Sequence, residues 1–240
     1  MYEKMRGVVL HTLKYTDKNS IAHVYTDMRG RLSFLVPQGR SVGARMRSAM
    51  FQPLSLLEFE ARIDAGRDLH MMRDIRSLMP LSGICSDPVK SAIAIFVSEL
   101  LTRSIQESER NTPLWQYIAR SVRILEGMRE GVANFHICFL YNLGPFLGIQ
   151  PDTDSYHEGY WFDMVNGVFS ADRPAGAYLP PDQAAALMTI SRMTFSNLHR
   201  FSFNREQRNA VLDIALRYFY IHNSAVGSMR SPDILRQLFD

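Results

Sequence analysis

An arginine-rich stretch between residues 28 and 57 carries the clearest chemical signal in this sequence. Its five arginines are Arg29, Arg31, Arg40, Arg45 and Arg47, and the stretch has no acidic residue. Guanidinium groups on a glycine-containing loop can follow a phosphate backbone without reading base edges. The alternative interpretation is a basic loop that is only solvated. The rest of the sequence is therefore needed to decide between these two interpretations.

The positive charge of the chain is concentrated in its first third. Residues 1–80 contain 13 Lys and Arg against 8 Asp and Glu, whereas residues 81–240 contain 14 against 16. Proteins that bind single strands combine a positive groove with aromatic side chains on which bases stack. Phe34 alternates with Arg31 and Ser33 along a predicted strand, so it is expected in the core. The predicted nucleic-acid-binding residues are Lys14, Tyr15, Lys18, Arg29, Arg31, Arg40, Arg45 and Arg47.

Five short segments with the alternation of β-strands position these residues. They span 8–10, 21–26, 32–36, 54–59 and 69–75, and turn-forming residues separate them. No helix long enough for a crossover lies between them, so we expect antiparallel pairing throughout. Residues 1–80 are therefore predicted to form a five-stranded antiparallel OB-fold barrel, although an SH3-like barrel would give the same pattern. Arg31 is expected on an outer face of this barrel, next to the loop at residues 38–48 that contains Arg40, Arg45 and Arg47 and is called the arginine loop below.

After residue 80 the apolar periodicity becomes helical. Asp87-Pro88 and Thr112-Pro113 are helix start signals, and Asn204 stands three residues before Gln207, at capping-box spacing. The segment 134–147 is apolar almost all round, which predicts a central buried helix.

An irregular segment at about 150–181 interrupts the helices, and its Asn166-Gly167 pair favours a hairpin turn. The predicted fold is α+β: an OB-fold domain over residues 1–80, then an all-α helical domain over 81–240 with a small β-hairpin insertion. The boundary is predicted between residues 78 and 86.

No arrangement of residues predicts an enzyme. His136 and Cys138 lie two apart in a helix that is expected to be core, and no orienting acid is identifiable. The acidic residues of the irregular segment fit no EF-hand spacing, and the nucleotide-binding glycine motifs are absent. The two cysteines form no CxxC pair. No long apolar run indicates a membrane span, so we expect a cytoplasmic protein.

Two runs of sequence resemble the RecO family of recombination mediators and DNA-repair proteins. The first is RGVVLHTLKYTDKNSIAHVYTDMRGRLSFLVPQGRS, followed by QPLSLLEFEA; the second is FHICFLYNLGPFLGIQP, which is similar to the central helix of the family. The resemblance implies an N-terminal OB fold, a C-terminal helical domain, binding to single- and double-stranded DNA and annealing of complementary strands. The implied partners are RecR and the C-terminal tail of the single-stranded-DNA-binding protein, with RecA loaded onto gapped DNA as the outcome. The role of the basic loop falls on Arg40, Arg45 and Arg47.

The sequence departs from the family pattern at one point. Many RecO proteins carry a four-cysteine zinc module after the central helix, and here that stretch reads DTDSYHEGYWFDMVNGVFS, without cysteine. We therefore expect no metal or other cofactor, and we expect aromatic packing around residues 160–169 in place of zinc.

Two other functions stay open: an RNA-binding OB-fold protein, and an adaptor whose helical domain recruits proteins while the basic loop is only solvated. An acidic, apolar peptide tail would require an apolar groove with basic residues at its rim. The candidate partner-binding residues are Arg120, Arg123, Arg200, Arg205 and Arg208. A DNA-binding function would associate the protein with the nucleoid.

Overall fold

The computed structural model describes residues 2–39, 49–64, 66–106 and 109–238. The chain divides into two compact units, Met1–Gly127 and Met128–Asp240. The last strand of the first unit ends at residue 77, and helices follow it in the chain. The predicted domain boundary between residues 78 and 86 stays a prediction.

Five strands of the first unit close into a barrel. They are β1 (Tyr2–Lys14), β2 (Asn19–Thr26), β3 (Gly30–Pro37), β4 (Leu56–Arg62) and β5 (Leu69–Ser77), in the order β1-β2-β3-β5-β4. The predicted OB-fold barrel is confirmed, and β1 is longer than its apolar segment suggested because it pairs with both β2 and β4.

The expectation of antiparallel pairing throughout was wrong at one seam of the barrel. Strands β3 and β5 pair in parallel, with Ser33 opposite Leu69 and Leu35 opposite Met71. The reason is parity, because strand direction alternates around the ring and five is an odd number. A closed ring of five strands must therefore contain a parallel pair. The lengths of the connections between strands do not reveal this pair.

The barrel interior is filled by alternate residues of the strands. Met5, Val24 and Phe34 are among the residues that form this core. The rings of Phe34 and Phe59 meet edge to face with centroids 5.2 Å apart. Phe34 is fully buried, which confirms its predicted core position.

Among the described residues of the first unit, three helices follow the barrel: α1 (Ser82–Ser86), α2 (Pro88–Ser104) and α3 (Thr112–Gly127). The Asp87 side chain accepts hydrogen bonds from the backbone N–H groups of Val89 and Lys90 at 2.8 and 3.2 Å, as the start signal predicts. The Glu126 carboxylate accepts bonds from the N–H groups of Gly83 and Ile84 at 2.6 and 2.8 Å. These contacts fix the start of α1 to the end of α3.

The second unit consists of helices around a small sheet. The helices are α4 (Phe135–Leu147), α5 (Pro181–Ser191), α6 (Arg205–His222) and α7 (Ser231–Leu238), and the sheet contains β6 (Trp161–Asp163), β7 (Val168–Ser170) and β8 (Tyr178–Leu179) in the order β7-β6-β8. Short 3₁₀ turns occur at Val132–Asn134, Thr153–Ser155, Leu198–Arg200 and Ser224–Ser228.

The local signals of the second unit agree with its structure. Helix α4 is largely buried, Pro145 lies in its last turns, and Gly148 follows with a φ of 70°. The predicted hairpin turns at Gly167, whose φ is 71°, and β8 adds a third strand that the sequence did not suggest. Asn204 and Gln207 form the predicted capping box. In the part of the chain that the structure describes, no helix is both long and apolar enough to cross a membrane.

Candidate nucleic-acid interface

The turn between β1 and β2 brings three of the predicted binding residues together. Lys14 ends β1, and Tyr15 and Lys18 lie in the turn, where Tyr15 is 62% exposed. Lys14 contacts the Asp17 carboxylate at 2.8 Å, but both side chains are strongly exposed. An ion pair of this kind contributes at most about 1 kcal/mol, so a phosphate can displace the carboxylate from Lys14.

The arginine loop leaves and rejoins the described chain beside this turn. The backbone N–H of Gln38 donates to the carbonyl of Lys18 at 2.6 Å, just before residue 40. On the other side of the loop, the Thr12 hydroxyl donates to the carbonyl of Phe51 at 3.0 Å. Arg40, Arg45 and Arg47 lie outside the described residues. Both flanks of the loop are therefore fixed to the hairpin that carries Lys14, Tyr15 and Lys18.

Arg29 lies at the opposite end of that hairpin. Strand β2 separates it from Lys18 by roughly 23 Å, at about 3.3 Å per residue. The Arg29 guanidinium donates to both carboxylate oxygens of Glu3, at 2.9 and 2.6 Å. These bonds raise the pKa of Arg29 and lower the pKa of Glu3. The charge of Arg29 is thus matched within the barrel.

Arg31 lies at the start of β3 and is bonded to the end of α2. It is the second residue of β3, whereas Arg40, Arg45 and Arg47 follow the far end of that strand and lie outside the described residues, so the expected position of Arg31 next to them stays a prediction. Its guanidinium is half-buried and donates to the carbonyls of Thr102 and Ile105 at 2.9 and 3.2 Å. Burial lowers the pKa of Arg31. The residue complements the C-terminal end of α2, where a cation is favourable.

Substitution of Arg31 by alanine tests this structural role. We expect R31A to lower the free energy of unfolding by about 2–3 kcal/mol, because two charge-assisted hydrogen bonds to a helix end are lost. Urea unfolding measures the change, with exposed Arg120 replaced in R120A as the control. Unchanged stability of R31A would contradict the role. A loss of DNA affinity in fully folded R31A would instead support its assignment as a DNA contact.

The predicted partner-binding arginines are distributed over both units. Arg120 and Arg123 are exposed on α3 of the first unit, and Arg200 and Arg205 are exposed in the second. Arg208 donates to the Asn134 side chain at 3.2 Å and to the carbonyl of Phe203 at 2.8 Å. Arg208 therefore holds α6 to neighbouring segments of its own unit.

The buried pair of His136 and Cys138 has the wrong proton affinities for catalysis. Burial lowers the pKa of His136 to about 3 and raises the pKa of Cys138 to about 12. A nucleophilic thiolate requires the opposite shift of the thiol pKa. Both residues serve as core of α4, as the sequence analysis favoured.

The buried His136 makes the stability of the protein depend on pH. Its pKa is about 3 in the folded state against 6.5 ordinarily, so the unfolded chain binds more protons between these values. Stability is therefore fully present above about pH 6.5 and falls with acidification, by at most about 1.4 kcal/mol per pH unit. Urea unfolding across this range should show the slope, with H136L reducing it and H199Q at an exposed position keeping it. An unchanged slope in H136L would exclude His136 as the cause.

An aromatic cluster lies in the segment where we expected aromatic packing in place of zinc. Phe162 and Phe169 pack with ring centroids 4.8 Å apart, and Tyr218 lies 5.6 Å from Phe162. His222 Nε2 lies 2.9 Å from the carbonyl oxygen of Met164. The cysteines at 85 and 138 lie outside this segment, and no group of three His, Cys, Asp or Glu side chains suited to a metal occurs among the described residues. The residues present do not fit a four-cysteine zinc site.

A cavity on the barrel is lined by further candidate site residues, which were not predicted from the sequence. It has a volume of about 490 Å³ and lies between β2, β3 and the connection from β4 to β5. His23, Arg67, Asp68 and His70 are among its lining residues. No motif marks them, because they come from segments more than 40 positions apart.

Taken together, the fold defines a class of protein in which an OB-fold barrel with a basic turn is joined to helices and a small sheet. Family models for the recombination protein O N terminus and C terminus match residues 1–80 and 85–225. The chain is 41% identical over 242 residues to the DNA repair protein RecO of Bacteroides fragilis, with both chains covered completely. It is 38% identical over 240 residues to RecO of Phocaeicola vulgatus, again over both whole chains. RecO of Porphyromonas gingivalis is 36% identical over 240 residues and 98% of each chain.

The chain belongs to the RecO family of DNA repair proteins. The family resemblance noted in the sequence is confirmed. Membership in a family of DNA repair mediators also agrees with the prediction that the chain is not an enzyme.

Proposed function

We propose that the chain is a recombination mediator that binds single- and double-stranded DNA, anneals complementary strands and, with RecR, helps to load RecA. The observation that carries the proposal is the anchoring of the arginine loop. Its flanks at Gln38 and Phe51 are bonded to the β1–β2 hairpin, whose turn holds Lys14, Tyr15 and Lys18. Basic side chains around an exposed aromatic ring suit a single strand, with phosphates on the cations and a base on Tyr15.

The charge pattern of the barrel supports a sequence-independent contact. Several other basic side chains of the described barrel are matched by carboxylates, as Lys4 is by Glu58 at 2.9 Å and Arg73 by Glu60 at 2.7 Å. The stretch from 28 to 57 contains no acid, so its loop arginines have no carboxylate near them in sequence. Affinity should arise from phosphate neutralisation, and it should fall steeply with salt.

Partner recognition is the second half of the proposal. The C-terminal tail of the single-stranded-DNA-binding protein is acidic and apolar, so basic side chains at the edge of an apolar groove suit it. The exposed arginines Arg120, Arg123, Arg200 and Arg205 are the proposed contacts, whereas Arg208 is engaged within its own unit. A protein with these partners acts at the nucleoid.

A strand-annealing assay tests the proposed function directly. Complementary DNA strands coated with single-strand-binding protein are mixed, and their pairing is followed with and without the chain. We expect faster annealing, and we expect the gain on coated strands to disappear when the coating protein lacks its C-terminal tail. Uncoated strands serve as the control that isolates DNA binding. No acceleration on either substrate would refute the proposal, and equal binding to RNA of the same sequence would favour the RNA-binding alternative.

A further inference from the structure

The cavity of about 490 Å³ on the barrel has the size of a small-molecule site. Its lining includes the partly buried side chains of Leu32 and Ile63 and the imidazole of His70. Polar groups line the same space, among them Ser33, which lies 2.9 Å from His23 Nδ1. Most of the lining residues are polar or charged, and Leu32 and Ile63 provide the apolar surface, so the cavity suits a flat ring with several hydrogen-bonding edges.

His70 is difficult to explain by folding alone. It is only 6% exposed, and its Nδ1 atom has no hydrogen-bond partner among the described residues. A buried polar atom without a partner is destabilising, and such atoms in a native protein call for an explanation. Its neighbour on β3 is Phe34, with ring centroids 6.2 Å apart, so an apolar side chain would suit this position better. Retention of an imidazole in the cavity lining points to a ligand.

The charges deepest in the cavity favour an uncharged group over a bare phosphate. The Arg31 guanidinium is engaged with the end of α2, and the Asp64 carboxylate is held by Arg62 at 2.9 Å. Burial, followed by the charge of Arg31, lowers the pKa of His23, which favours a neutral ring. The Asp68 carboxylate also lines the cavity, and no hydrogen bond or ion pair joins it to another described side chain. A carboxylate there repels anions and accepts hydrogen bonds from N–H groups.

The position of the cavity on the barrel indicates that a ligand with N–H groups would be a nucleobase. It lies against β2, β3 and the β4–β5 connection, which is the side of an OB fold where oligonucleotides bind. A carboxylate accepts a hydrogen bond from an exocyclic amino group such as N4 of cytosine, whereas the equivalent position of thymine is a carbonyl. Arg67 lines the same cavity with a side chain that is 74% exposed, 4.0 Å from Asp64, where it can meet a phosphate.

We propose that this cavity holds one nucleobase of a bound DNA single strand and prefers a base with an exocyclic amino group, which Asp68 recognises. This inference rests on the proposed DNA-binding function. The base lies against Leu32, Ile63 and His70, and the adjoining phosphate lies near Arg67. The strand binds without a sequence code along the arginine loop and is read at this one position.

The test compares oligocytidine and oligothymidine strands of equal length by fluorescence anisotropy. We expect the wild-type protein to bind oligocytidine about ten- to 100-fold more tightly, the discrimination typical of one hydrogen bond to a charged group. D68N should bring this ratio to about one. The matched control D17N makes the same change of charge on the same barrel outside the cavity, and it should keep the ratio while raising both affinities.

A second variant separates binding from folding. H70L removes a buried nitrogen without a partner, so its melting temperature should rise while its affinity for oligocytidine falls. Free dCMP and dTMP serve as competitors, and displacement of the strand by dCMP but not by dTMP would support recognition of the base in the cavity. Equal wild-type affinities for the two strands would overturn the cavity proposal alone. Absence of binding to either strand would overturn the proposed DNA-binding function itself.

Discussion

The triple variant R40A/R45A/R47A is expected to bind single-stranded DNA about 100-fold more weakly than the wild type at about 0.1 M salt. Each neutralised phosphate contributes about 0.7 to the slope of log affinity against log salt on single strands. Loss of three such contacts lowers the slope by about 2. The two affinity curves should therefore converge as salt approaches about 1 M.

The matched control for this prediction is K4A/R73A/R236A, which removes the same charge from other positions. Each of these residues contacts a carboxylate, namely Glu58, Glu60 and, for Arg236, Asp233 at 2.6 Å. We expect the control to leave the salt slope within about 0.5 of the wild-type value, since exposed matched charges release few counterions. Equal losses in both triple variants would mean that net charge, and not the loop, governs affinity. An unaffected R40A/R45A/R47A protein would remove the loop from the interface.

The variant F162A is expected to lose about 3–5 kcal/mol of folding free energy. Phe162 is fully buried between Phe169 and Tyr218, so its removal leaves a cavity in addition to the lost transfer free energy. This loss is a large part of the 5–15 kcal/mol that typically stabilises a native protein. Urea unfolding measures it, with V165A at a position that is 50% exposed as the control.

Measuring zinc in the purified wild-type and F162A proteins tests whether the aromatic cluster replaces a metal module. We propose that the aromatic cluster around Phe162 takes the structural role that four cysteines have in other family members. Elemental analysis should find no stoichiometric zinc in the wild type, and a chelator should leave its melting temperature unchanged. Stoichiometric zinc, or recovery of F162A stability when zinc is added, would contradict the proposal.

Local chemistry made much of the fold predictable. The Asp87-Pro88 start, the Asn204 capping box and the turn at Gly167 each depend on residues within four positions, and all three are present. Tyr15 is exposed beside its turn, as residues of surface turns usually are.

Features that depend on distant residues escaped the sequence analysis. Arg31 looked like an outward strand residue, but its partners are carbonyls more than 70 positions away. The lone parallel seam follows from closure of the whole ring, which no single segment reveals. The cavity with Asp68 and His70 likewise exists only once β2, β3 and the β4–β5 connection have come together.

The parallel seam also affects when the barrel can close during synthesis of the chain. Strands β1 to β3 form a meander of sequential neighbours, complete by Pro37, whereas both closing seams need residues beyond 55. A growing chain therefore presents the free edges of β1 and β3 until β4 and β5 emerge, and unpaired edges invite pairing with other chains. The basic loop is synthesised within that interval, and we expect its like charges to oppose pairing between neighbouring chains.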